Sequence, residues 1–228
     1  MIGQIIDAVS VWAIPLLLAI TLHEAAHGFA AYVFGDDTAR RLGRMSLNPL
    51  RHVDPFGTVL MPALLLLAKA PFLFGYAKPV PVNFGRLNHP RRDMVWVALA
   101  GPGMNMALAV LAALLYHGIG LLPSGVGKWA AANLRNTVYI NVLLAVFNML
   151  PIPPLDGGRV AVGLLPDRLA FPVARLERTG IFLVLGLFFL LPMLGDLIGV
   201  DINLFGWLVG RPTMAVIDLI AALTGHGS

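Results

Sequence analysis

Five consecutive residues, His23-Glu24-Ala25-Ala26-His27, set two imidazoles and a carboxylate at a spacing that suits a divalent metal. In a helix, residues four apart share one face about 6 Å apart along the axis, so both rings reach a single ion. Glu24 is turned about 100° from His23 around the same helix, which places it beside the ion rather than on it. There it can take a proton from a metal-activated water. With six His and two Glu in 228 residues, chance produces this pattern on the order of 10⁻³ times per chain. A purely structural reading must also account for three ionisable groups inside an apolar run, where such groups are costly and functional by default.

Two imidazoles do not complete a site, because catalytic zinc takes three protein ligands and keeps a fourth position for water. The chain has no cysteine, so the third ligand is His, Asp or Glu. Glu177 stands close to Arg175 and Arg178 and reads as a solvated ion-pair partner. Asp156 is the better candidate. It follows Asn148, Pro151, Pro153 and Pro154 and precedes Gly157, Gly158 and Arg159. Asp-Gly-Gly by itself suits a turn or a cap. Here the prolines must break an otherwise apolar helix, and broken backbone at membrane depth is tolerated only where protein buries it or water fills a cavity. Asp156 would then open the second half-helix as its N-cap. His27 lies about 12 Å inside the polar boundary at Gly35-Asp36, and Asp156 roughly 16 Å inside the boundary at Asp167-Arg168, so the two reach similar depth.

The elements that must carry these residues are apolar. Of the 228 residues 58% are hydrophobic and 12% charged, against about 25% charged in a soluble domain. Runs at 5–34, 94–118, 135–166 and 180–200 are long enough to cross a hydrocarbon core, which takes roughly 20 helical residues. The run at 57–68 is too short and reads as re-entrant or interfacial. The run at 203–222 is interrupted at Arg211-Pro212 and reads as kinked or partial. The expected fold is an all-α polytopic membrane protein with about five to six transmembrane segments. It forms a single unit over 1–228, with its core at 5–166 and additional segments at 180–222.

The basic residues sit in connections, not along one polar face, so the net charge of +4 is a topology signal and not a nucleic-acid site. Arg40, Arg41, Arg44, Arg51, Lys69, Lys78, Arg86, Arg91 and Arg92 all lie between the first two long runs, which makes that connection cytoplasmic. Arg159, Arg168, Arg175 and Arg178 mark the next cytoplasmic stretch, which leaves Lys128, Arg135 and Arg211 for the other face. The first ten residues carry Asp7 and no Lys or Arg, so the first helix is expected to be retained rather than cleaved as a signal. The segment 73–83 alternates and contains Pro79 and Pro81, which fits a short membrane-associated β-hairpin or edge strand.

His23–His27 with the Asn148–Gly158 run resembles the site-2 protease family of intramembrane zinc metalloproteases. The similarity extends to Gly43-Arg44, Leu47-Asn48-Pro49, His52, Asp54-Pro55, Gly57-Thr58, Phe74–Asn83, Ala100-Gly101-Pro102 and Asn105, and so covers residues 20–160. The resemblance implies one zinc per chain held by His23, His27 and Asp156, with Glu24 as general base and acid. It also implies that Asn148 serves as an oxyanion or substrate-binding group. Many relatives carry a PDZ or CBS domain and a span before the His-Glu helix, and neither is apparent here. The implied partners are a transmembrane protein substrate and the lipid bilayer, in the cell membrane, with the site toward the cytoplasm. The 73–83 segment would hold an unwound substrate by strand addition.

Other polar residues carry lesser expectations. His52 and Asp54 suit loop hydrogen bonds better than a second metal, and Asn105 suits helix packing or the active site equally. His89, His117 and His226 read as interfacial or tail residues. Arg159 would line a watery access path or form an ion pair. Two rivals stand beside the protease reading. A prenyl-protein zinc protease needs a glutamate as third ligand, for which Glu177 is poorly placed. A zinc transporter or silent zinc-binding protein needs no base such as Glu24.

Overall fold

The computed structural model describes residues 2–61, 64 and 78–226. Half of the expected 57–68 helix and the 73–77 half of the expected edge strand lie outside the described residues.

Helix α1 (Ile2–Val33) carries the His-Glu motif and includes Pro15. It stops in a Schellman arrangement: the N–H of Asp36 bonds Ala31 O at 2.8 Å and that of Gly35 bonds Tyr32 O at 3.2 Å. Gly35 sits at φ +106°, a conformation that disfavours any side chain. Helix α2 (Pro90–Tyr116) starts on a proline whose missing N–H would have had no helical partner. Asp93 in its first turn accepts from His89 N at 2.7 Å. Helix α3 (Ser124–Asn148) returns antiparallel to α2, and α2 packs along both α1 and α3.

Close packing of these three comes from small residues. Ala19, Ala25 and Ala31 of α1, Ala109, Ala112 and Ala113 of α2, and Ala145 of α3 are all buried. Between apolar helices in lipid, such residues bring backbones close enough for dispersion to act. Leu16, Leu17 and Leu18 of α1 and Leu111 and Leu114 of α2 point outward and stay exposed, as lipid-facing side chains do.

After α3 the chain turns through 149–155 and enters α4 (Asp156–Leu164), then α5 (Asp167–Arg175). Two further helical segments follow, α6 (Gly180–Leu197) and α7 (Gly206–Leu223). α1 over Val9–Val33, α2 with its 3-10 extension to Leu121, α6 and α7 are the four described segments long and apolar enough to cross a membrane. α3 falls outside that group because it carries Lys128, Asn133, Arg135, Asn136, Thr137 and Asn141. At 25 residues it is still about 37 Å long, and its amides turn inward, Asn136 Nδ2 donating to Val11 O at 2.9 Å.

One end of the bundle gathers Ser10, Trp129, His117, Thr224 and His226. Trp129 donates to Ser10 Oγ at 3.2 Å, His117 Nε2 to Thr224 O at 2.6 Å and His226 Nε2 to Ala113 O at 2.9 Å. α7 therefore runs parallel to α2. Its first turns, with Val209, pack against Phe188 and Phe147 toward the end of α3 that leads to Asp156. This differs from the sequence expectation for Arg211, which lies two residues beyond Val209 and stacks over Trp207 at 3.6 Å. It belongs to the half of the bundle that holds the His-Glu motif. The helix runs without a break from Leu204 to Leu223, and Pro212 follows directly on the π-helical turn Gly206–Gly210, a local irregularity that accommodates a residue with no N–H to donate.

No strand occurs among the described residues. Residues 78–83 are extended but lie as a strap across α1. Strand pairing is disfavoured because Pro79 and Pro81 have no N–H, while Lys78 N bonds His52 O at 2.8 Å and Asn83 N bonds Asp36 Oδ2 at 2.6 Å.

Candidate metal centre

His23 and His27 stand one turn apart on α1, and Asp156 meets them from the start of α4. His23 Nε2 lies 3.1 Å from His27 Nε2, and Asp156 Oδ2 lies 3.2 Å from the first and 3.3 Å from the second. Four-coordinate zinc with bonds of 2.0–2.1 Å sets neighbouring ligand atoms about 3.3 Å apart, so the triangle fits that ion. All three residues are buried, and their ligand atoms form the one such group among the described residues.

Hydrogen bonds on the far side of each ring assign its proton. His27 Nδ1 donates to Val97 O at 2.7 Å, since a carbonyl can only accept. His23 Nδ1 meets Asn105 Oδ1 at 2.5 Å. With both Nδ1 atoms protonated, both Nε2 atoms turn lone pairs inward. Asp156 Oδ2 is buried with no hydrogen-bond donor among the described residues. Two lone pairs and an orphaned carboxylate oxygen converge on one point, an arrangement that is costly without a cation.

Backbone without side chains makes the approach feasible. A Cβ on Gly101 would stand 2.4 Å from His27 Nε2 and 2.6 Å from His23 Cε1, so α2 presses directly on the imidazoles. A Cβ on Gly157 would come 2.2 Å from Met149 O, and one on Gly158 2.3 Å from Pro153 N. The glycines after Asp156 thus let the proline loop fold over the start of α4. Asp156 is the first helical residue and not the expected N-cap. Leu155 holds that position without a side-chain cap, and the Asp156 carboxylate turns to the histidines instead.

Glu24 Oε2 accepts the backbone N–H of Val80 at 2.6 Å. The strap therefore anchors the carboxylate beside the metal site. Its backbone is largely engaged within the chain, because Arg44 Nη2 also donates to Lys78 O at 2.8 Å and to Pro79 O at 3.3 Å. At Val80 the expected strand addition to a substrate is not met. Asn148 ends α3 with its amide folded back on its own helix, Nδ2 donating to Leu144 O at 3.0 Å.

Arg159 Nη2 pairs with Glu177 Oε1 at 3.2 Å and Nη1 lies 4.0 Å from Asp156 Oδ1, while the guanidinium covers the Phe84 ring at 5.2 Å. Phe84, Pro153, Gly158, Arg159 and Glu177 help line a cavity of about 130 Å³. The ion-pair expectation for Arg159 is met, its guanidinium also borders this cavity, and Glu177 is engaged away from the metal group. His52 Nε2 donates to Ser46 O at 2.8 Å and Asp54 Oδ1 accepts from Phe56 N and Gly57 N at 3.0 and 2.7 Å, which are loop roles. Gly101 and Asn141 had no assigned part in the sequence, and Val80 was expected to meet a substrate rather than Glu24. A polar residue inside an apolar run flags Asn141. Only the Ala-Gly-Pro resemblance touches Gly101, and no local signal marks the Val80 N–H.

A profile of Peptidase family M50 matches residues 125–193, from α3 into α6. The chain is similar to the "Putative zinc metalloprotease YwhC" of Bacillus subtilis, 38% identical over 196 residues, which cover 79% of this chain and 84% of that protein. It is also similar to proteins named "Putative zinc metalloprotease Rip2". That of Mycolicibacterium smegmatis is 30% identical over 161 residues, 68% of this chain and 56% of the relative. That of Mycobacterium tuberculosis is 33% identical over 141 residues, 62% of this chain and 52% of the relative. The match thus spans about half the length of the Rip2 proteins. No solved structure matches the chain.

Proposed function

The chain belongs to peptidase family M50, the site-2 protease family of membrane zinc metalloproteases, and on that footing we propose that it hydrolyses peptide bonds of transmembrane proteins within the bilayer or at its edge. The observation that carries this reading is the triangle of His23 Nε2, His27 Nε2 and Asp156 Oδ2, with edges of 3.1–3.3 Å, beside an anchored Glu24. These three residues hold one zinc per chain. When bound, zinc supplies Lewis acidity toward water and the scissile carbonyl.

Glu24 takes the proton of the attacking water and hands it to the leaving amine. The Val80 N–H holds Oε2, which leaves Oε1 for the proton. His23 and His27 keep their Nδ1 protons on Asn105 and Val97 O throughout, so the rings do not rotate during turnover. Asn148 serves the developing oxyanion or the substrate backbone, a role that requires its amide to leave Leu144 O. A substrate helix unwinds before cleavage, because its carbonyls are otherwise committed to internal hydrogen bonds. The cavity beside Arg159 supplies water.

Residues 1–228 act as one membrane-embedded unit in the cell membrane, with the end holding the strap toward the cytoplasm. Arg40, Arg41, Arg44, Arg51, Lys78, Arg86, Arg91 and Arg92 flank that end, which supports the orientation. In place of five to six spans, α1, α2, α3 and α7 cross fully. α6 begins against Pro153 and leads back to Phe147 through α7, so it enters the apolar layer without changing sides.

Glu24→Gln tests the reading. It is expected to retain zinc and abolish cleavage of a model transmembrane substrate. Undiminished cleavage would overturn the role of Glu24, and zinc flux through reconstituted wild-type protein without cleavage would favour transport.

A further inference from the structure

A chain of amides crosses three helices to reach His23, and its direction is fixed at the far end. Asn105 on α2 and Asn141 on α3 are both fully buried. Thr137 O can only accept, so it is Asn141 Nδ2 that donates to it, at 2.8 Å. Asn141 Oδ1 is thereby turned toward α2, where Asn105 Nδ2 donates to it at 2.8 Å. Asn105 Oδ1 remains for His23 Nδ1, which must carry the proton. The lone pair then falls on Nε2, the atom facing His27 and Asp156. Turning Asn141 over would oppose its oxygen to Thr137 O and its NH2 to that of Asn105. Two repulsive contacts would replace two hydrogen bonds in a dry interior.

His27 achieves the same end through Val97 O, a backbone group that side-chain substitution does not remove. The His23 arm depends on two side chains: Asn105 Nδ2 reaches Ala19 O at 3.4 Å, but its shorter bond, 2.8 Å, goes to Asn141, which is two hydrogen bonds away from the imidazole.

We propose that Asn105 and Asn141 are positioning residues of the metal centre, which set the tautomer and ring angle of His23 through a relay anchored on the Thr137 carbonyl. The proposal rests on the reading that His23 ligates zinc. Outer hydrogen-bond partners of ligating histidines typically contribute 10- to 100-fold in metal affinity. Asn141 is expected to act in this way without touching the site.

The test is the zinc dissociation constant of purified full-length protein, measured by chelator competition, together with the ring ¹⁵N shifts of His23 in the metal-free state. Asn105→Leu and Asn141→Leu are expected to weaken zinc roughly 10- to 100-fold and to give mixed His23 tautomers. Asn105→Asp keeps an acceptor for Nδ1. Asn141→Asp keeps the acceptor to which Asn105 Nδ2 donates. Both aspartate variants are expected to bind zinc within a few-fold of wild type, and they guard against an unfolded leucine variant. Wild-type affinity and tautomer in Asn141→Leu would overturn the proposal. So would equal weakening in Asn141→Asp and Asn141→Leu, which would indicate packing and not acceptor direction. Full zinc retention in His23→Ala would instead overturn the ligand assignment on which the relay rests.

Discussion

Val80 donates its backbone N–H to the carboxylate of Glu24 at 2.6 Å, joining the strap to the one acidic residue of α1 that stands between the two histidines. Val80 is buried, and a Cβ on Gly28 would lie 3.0 Å from its Cγ1, so the strap packs directly on the helix one turn beyond Glu24. A hydrogen bond to a charged acceptor contributes about 1.5–3 kcal/mol. Val80→Pro removes the donor while the ligands, on other elements, stay in place. Cleavage is expected to fall roughly ten- to a hundredfold with zinc content unchanged. Val82→Pro spares the bond to Glu24 and should cost less. Cleavage assays run beside elemental analysis decide, and equal cleavage in Val80→Pro and wild type would remove the anchoring role.

Gly101 and Gly103 form a matched pair on α2. A Cβ at Gly101 would meet His27 Nε2 at 2.4 Å, whereas one at Gly103 meets nothing within 4 Å. Gly101→Ala must push the imidazoles from the triangle, and at least a tenfold loss of zinc affinity is expected. Gly103→Ala should bind zinc as wild type does. Titration of both metal-free proteins with zinc separates the two outcomes.

The His-Glu motif was legible because four residues of spacing fix a helical face without any tertiary knowledge. Asp156 was legible because three prolines break an apolar run beside a carboxylate. Its cap role was not, because whether a carboxylate turns to its own helix or to α1 depends on a packing partner far away in sequence. Asn141 stands among Asn133, Asn136, Thr137 and Asn148, and which of these faces α2 is set by the rotation of α3. The strap was legible as an extended segment. Its partners were not, since Glu24 and Asp36 lie 56 and 47 residues away from the groups that bond them. The direction of α7 depends likewise on the contacts of Thr224 and His226 with α2, which the sequence does not display, and so Arg211 was assigned to the other face.

Asp36 ties the strap to the end of α1. Its carboxylate accepts Asn83 N at 2.6 Å, Thr38 N at 3.0 Å and the Thr38 hydroxyl. Burial alone would raise its pKa, but the donors on Thr38 and Asn83, with the charge of Arg86, hold the carboxyl below its usual range. A lowered native pKa gives stability that is complete above the ordinary carboxylate value near 4 and is lost as pH falls through the native value. The melting temperature of the wild type should therefore drop in acid. Asp36→Asn should start lower at pH 7 and show a flatter acid limb. Parallel limbs in the two proteins would contradict this account of Asp36.

Cysteines introduced singly into this cysteine-free chain report sidedness. Asp37 and Asn88 are expected to label from one side of the membrane, and Gly120 and Gly225 from the other, because His226 packs on Ala113 near the end of α2. Labelling of Gly225 from the same side as Asp37 would mean that α7 runs the other way in the bilayer.

The central claim is a single zinc held by His23, His27 and Asp156, and zinc per chain in purified protein tests it most directly. The wild type should carry about one ion, and His23→Ala, His27→Ala and Asp156→Ala should each lose most of it, since removing one of three ligands leaves an incomplete site. Full occupancy in Asp156→Ala would remove Asp156 from the coordination sphere and contradict the account of the triangle.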